Sequence, residues 1–159
     1  MPEKTNYYPL DIEYKKIVME IATPVTLYSE FTSTEGKIVN TTAIWDTGAN
    51  HSVLSPKIVK ELGLRSIDTA PIHGINNMSR ESDIVVASIR FTDDLVLTNR
   101  RFSVINIPGT EVLIGMDIIK MGNFVINNSK GKTLFSFVIP PLEERISYSE
   151  IVKSGENRQ

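Results

Sequence analysis

Residues 42–50, TAIWDTGAN, set an apolar run directly against a carboxylate, a small hydroxyl residue and a glycine. Ala43, Ile44 and Trp45 suit a strand buried on both faces, and Thr47, Gly48 and Ala49 make a turn small enough for another backbone to approach Asp46 closely. A carboxylate among apolar groups must be hydrogen-bonded, paired or protonated, because leaving it bare and charged there is costly. Acids kept under such conditions gather at functional sites. Asp-Thr-Gly is also ordinary turn chemistry after a strand, so the tetrapeptide alone leaves both readings open.

A second segment separates those readings. Residues 111–119, EVLIGMDII, form an apolar run ending in Gly115 and followed by a short helix-like stretch. Hydrophobic residues leading into Asp-Thr-Gly-Ala, then a strand-rich interval, then hydrophobic residues leading into glycine and a short helix, form a pattern far more specific than either half. It resembles the retropepsin-like aspartic proteases, the single-lobed relatives of pepsin, over about residues 25–139. The resemblance implies a mostly β fold, a closed or partly open antiparallel β-barrel with one or two short helices. It also implies that Asp46 is catalytic and that Thr47, Gly48, Ala49, Leu113, Ile114 and Gly115 support the active loop. Gly48, Asn50, Gly74 and Ile75 would line the substrate, the last two on a flap near residues 73–79 that otherwise reads as a polar hairpin loop.

Peptide hydrolysis without a metal or a covalent nucleophile needs one group to take a proton from water and another to give one to the amide. Two carboxyls sharing a single proton do both, since like charges so close cannot both ionise comfortably. The chain holds one Asp-Thr-Gly motif. A second Asp46 would therefore come from another copy, and a symmetric homodimer would enclose one cleft. Among other acids, Asp117 opens the second short helix and reads as its N-cap, and Asp93 and Asp94 read as a solvated turn. Retroviral members usually carry an acid and an arginine where this chain has Asn50 and Met116, so the ion pair that ties their active loop to the dimer interface is absent as a unit. The competing function is a peptide- or protein-binding module on the same fold and dimer, but such a scaffold has no need to maintain Asp46 in a costly setting.

At 159 residues the chain is one domain of common size, about half of what a two-lobed pepsin-like enzyme needs. A net charge of -2 gives no electrostatic footprint for nucleic acid or an anionic membrane surface. The absence of cysteine removes disulfides and thiolate chemistry. His51 and His73 lack ligand spacing, so no metal and no cofactor is expected. No apolar run approaches a membrane span and no leader pattern opens the sequence, which makes a cytoplasmic protein the expectation.

The chain divides into an N-terminal arm over residues 1–22, a protease-like domain over 23–141 and a polar tail over 142–159. The arm reads as loosely held, with residues 17–21 able to pair as an edge strand. Residues 25–31 and 37–45 read as a hairpin feeding the active loop, followed by a short strand at 52–54. Ser55, Pro56 and Gly63 signal a helix of barely two turns. Strand-like runs follow at 67–75, 83–91, 95–97, 102–107, 124–127 and 133–139, and Pro140 and Pro141 stop the last of them.

Overall fold

The apolar alternation of this sequence resolves into ten strands and three short helices among the residues described, 5–29, 36–73 and 79–156 of a computed structural model. Six strands form a closed ring: β2 (Ala22–Tyr28), β3 (Ile38–Trp45), β8 (Val112–Ile114), β4 (Val53–Leu54), β7 (Val96–Val104) and β6 (Ser79–Arg90). Pairing of Leu27 with Ile89 and its neighbours returns β6 to β2 and shuts the barrel. A seventh strand, β5 (Asp68–His73), extends outward from β6. Most pairs are antiparallel, as many short strands with little helix predict. Two are parallel, β3 with β8 and β4 with β7, and both lie around the loop that carries Asp46.

A separate three-stranded sheet runs in the order β1 (Tyr8–Tyr14), β10 (Lys132–Ile139), β9 (Asn123–Ser129). Its inward residues meet the barrel at Trp45. The indole packs against Phe91, Phe124, Phe135 and Phe137 with ring centroids 4.8–5.9 Å apart, all tilted, the arrangement aromatic quadrupoles favour. Its Nε1 donates to Thr23 Oγ1 at 2.9 Å, so the one polar atom of the ring is satisfied. Trp45 is thus fixed on several sides, and the residue after it is Asp46.

Local chemistry sets the helices. In α1 (Pro56–Leu62) Ser55 Oγ accepts from the Ile58 amide, proline begins the helix, and Gly63 leaves it in the left-handed region at φ 65°. This is the helix expected from the sequence. The buried Ile58 and Leu62 pin it to the barrel. Nearby, Glu111 receives hydrogen bonds from Lys57 and from Thr41, and the Lys57 bond holds its carboxyl below the usual value.

The ends differ from expectation. The stretch read as a loosely held arm contains β1, paired residue for residue with β10 from Tyr8 opposite Ile139 to Tyr14 opposite Thr133. Residues 17–21 form no strand; the Tyr14 hydroxyl donates to the Ala22 carbonyl at 2.6 Å and accepts from the Ala22 amide, fastening the turn between β1 and β2. Only Leu10 on β1 is buried, and the charged Asp11 and Glu13 face Ser136 and Lys132 of β10, so the strand depends on a partner more than a hundred residues away. The runs at 95–97 and 102–107 are joined through residues 98–101 into one strand, β7, which starts at Val96 and ends at Val104; its polar middle carries Asn99 at φ 53° opposite a register shift between Ala87 and Ile89. The polar tail carries a third helix, α3 (Tyr148–Glu156).

Candidate active site

Parallel pairing of β3 with β8 sets Trp45 beside Ile114, so the two apolar strands end together. Just beyond, the Asp46 amide donates to the Ile114 carbonyl at 2.9 Å and the chain turns away from the sheet. Asp46 Oδ1 accepts from the Gly48 amide at 2.8 Å, and the Ala49 amide bonds back to the Asp46 carbonyl. Oδ2 has no partner among the described residues. Asp46 as a residue is half-buried, with Thr47, Gly48 and Asn50 exposed around it. A Cβ on Gly48 would lie 3.1 Å from Asp46 Oδ1, a tight contact that would press on the carboxylate.

The second glycine segment forms the floor. Leu113 and Ile114 are buried in β8, which lies between β3 and β4, so the loop of residues 46–52 strides over its end. Gly115 has an ordinary φ of -96°; what it supplies is space. A Cβ there would fall 2.7 Å from the carbonyl carbon and oxygen of His51 and 2.9 Å from the Ala49 oxygen. From α2 (Met116–Ile119) the Met116 amide donates to the Ala49 carbonyl at 2.8 Å and the Asp117 amide to the Asn50 carbonyl at 3.2 Å. The first turn of a four-residue helix thereby spends its spare donors on the loop.

Asp117 does not cap that helix. Gly115 occupies the N-cap position without a side-chain bond, and the Asp117 carboxylate, two residues further in, accepts from Ser52 Oγ at 2.8 Å. Ser52 is fully buried and also accepts from the Gly115 amide at 3.0 Å. Sequence reading missed Ser52 because it looks like the polar first residue of a short strand. Its one signal is a hydroxyl directly ahead of the apolar pair Val53 and Leu54, close after the loop.

Asp46, Thr47, Gly48, Ala49, Leu113, Ile114 and Gly115 therefore meet in one place, with Asn50 at its rim. Gly74 and Ile75 lie outside the described residues; β5 and β6 pair as far as His73 opposite Ser79 on either side of them. Among the described residues no group of three or more His, Cys, Asp or Glu side chains could hold a metal, and no helix is long and apolar enough to cross a membrane. One edge of β9 is unpaired among the described strands, and Ile126 on it is 45% exposed.

The family described as aspartyl protease matches residues 32–118, a span that holds both the Asp46 loop and the Gly115 segment. No curated protein is a significant match to the chain. Among solved structures, a retropepsin-like aspartic protease from Rickettsia conorii is 14% identical, with 85% of this chain and 97% of that one covered, at a TM-score of 0.49. The protease of EIAV in complex with the inhibitor HBY-793 is 21% identical over 64% of this chain and 86% of that one, also at 0.49. The retroviral protease-like domain of Ddi1 from Leishmania major is 16% identical over 75% and 95%, again at 0.49.

Proposed function

The chain belongs to the aspartyl protease family, and from that membership and the geometry of the Asp46 loop we propose that it is an aspartic endopeptidase whose site is completed by a second copy of itself. The observation that carries this reading is the Asp46 carboxylate, steered by the Gly48 amide at the mouth of an apolar floor, in a chain that has one such loop. Two Asp46 carboxyls, one from each subunit, hold a single proton between them; the charged one takes a proton from water as the neutral one gives its own to the scissile carbonyl. Because the two titrate as a unit, the pH profile belongs to the pair. Thr47 of each subunit bonds across the axis and locks the loops, and Gly48 offers backbone to an extended peptide. The unpaired edge of β9 with its exposed Ile126 supports a dimer in which this strand and its copy meet. With Asn50 and Met116 in place of an ion pair, apolar contact and backbone pairing carry the association, and salt weakens it little.

A cleft that takes a peptide by strand addition reads alternate side chains, and an apolar lining selects apolar ones. Incubating the purified protein with an unbiased peptide library from acidic to neutral pH is expected to give cuts flanked by apolar residues. Cleavage confined to charged sites would count against this cleft. A stable dimer that binds peptides and cuts none would instead favour the binding module.

A further inference from the structure

We infer that Ser52 and Asp117 are positioning residues for Asp46, a hydroxyl and its acceptor that hold the active loop on the end of β8 without touching substrate. The inference rests on the endopeptidase reading for its kinetic consequences and on hydrogen bonding alone for its structural ones. The Ser52 hydroxyl is used at both ends. It accepts from the Gly115 amide at 3.0 Å, so its O–H is free to donate elsewhere, and the Asp117 carboxylate 2.8 Å away accepts that hydrogen bond. Without that acceptor the proton has no fixed direction, and the lone pair facing Gly115 is no longer held in place. Without the hydroxyl, the buried Gly115 amide loses its acceptor, an expense that is relieved by letting the segment move.

Such movement reaches Asp46 by short steps. Gly115 lies so close to the backbone of Ala49 and His51 that a Cβ would not fit between them, and the Met116 and Asp117 amides are bonded to Ala49 and Asn50. A shift of Gly115 therefore carries residues 49–51, and with them the Gly48 amide that steers the carboxylate. What Asp117 must supply is an acceptor oxygen rather than a charge. An amide oxygen at the same point does the same, which separates this role from that of a second catalytic acid within one chain.

The test uses Ser52→Ala, Asp117→Ala and Asp117→Asn in the full chain, each followed by amide hydrogen exchange and by steady-state kinetics on the best library peptide. Expected for both alanine variants is exchange at Gly115 and Met116 faster by at least ~10-fold, with β10 unchanged. Their kcat falls about 10²-fold while KM stays within about twofold, the pattern of a misplaced catalytic group rather than lost binding. Asp117→Asn keeps both readouts within about threefold of the parent, since it retains the acceptor oxygen. Alanine variants that exchange and turn over like the parent would overturn the inference, as would an Asp117→Asn protein as inactive as Asp117→Ala. If Ser52→Ala fails to fold, the two Asp117 variants decide by themselves. A parent that cuts no peptide defeats the endopeptidase reading, and the exchange pattern still decides this one.

Discussion

Asp46→Asn is expected to lower kcat/KM on any cleaved peptide by at least ~10³-fold, the scale of removing a general acid–base group. The fold should hardly notice. Asparagine keeps the shape and an oxygen where Asp46 Oδ1 accepts from the Gly48 amide, and the Trp45 packing before it is untouched. What it cannot do is share a proton, and in the variant homodimer both members of the pair are amides, so neither can take a proton from water or pass one on. Kinetics and a melting curve measured on the same preparation check both halves, with Tm expected within about 2 °C of the parent. Cleavage at the parent rate would mean that the chemistry lies elsewhere.

Gly115→Ala is expected to damage site and fold together. The new methyl group would lie 2.7 Å from the His51 carbonyl and 2.9 Å from the Ala49 oxygen, and these are backbone atoms with no rotamer to change. Either the loop lifts or β8 sinks, at a cost of about 1–3 kcal/mol for overpacking. Activity should fall more than stability, by about 10²-fold or more, because the displaced atoms carry Asp46 with them. Gly131→Ala is the control. It meets no atom within 4 Å and is strained only by its φ of 75°, so it should lose a little stability in the turn between β9 and β10 and keep full activity. Urea midpoints and kcat for the two variants test this; a Gly115→Ala protein as active as Gly131→Ala would show that the contact does not matter.

The parts of this molecule that could be read from its sequence are those whose causes are local. α1 announces itself through Ser55, Pro56 and Gly63, and the Asp46 loop through apolar residues running into an acid and a glycine. Many short alternating runs point to an antiparallel barrel or sandwich, and the resemblance carried by the Asp46 and Gly115 segments selects the barrel. β1 could not be read in the same way, because Tyr8–Tyr14 has one buried side chain and owes its conformation to β10. The same holds for Ser52 and Asp117, which are 65 residues apart and gain their meaning only when β4 and β8 lie side by side. Asp117 was misread as a cap because an acid opening a helix usually is one; here Gly115 stands first, and the carboxylate turns to a buried hydroxyl instead.

The shared site is most directly tested by mixing. With parent protein held at a fixed concentration and Asp46→Asn subunits added in increasing excess, parent copies are drawn into dimers that carry one acid, and activity should fall towards zero as the fraction of parent–parent dimers falls. Sedimentation on the same mixtures confirms that total dimer rises meanwhile. Activity that stays at its starting value through a large excess, with exchange of subunits demonstrated, would contradict a catalytic pair built from two copies of Asp46.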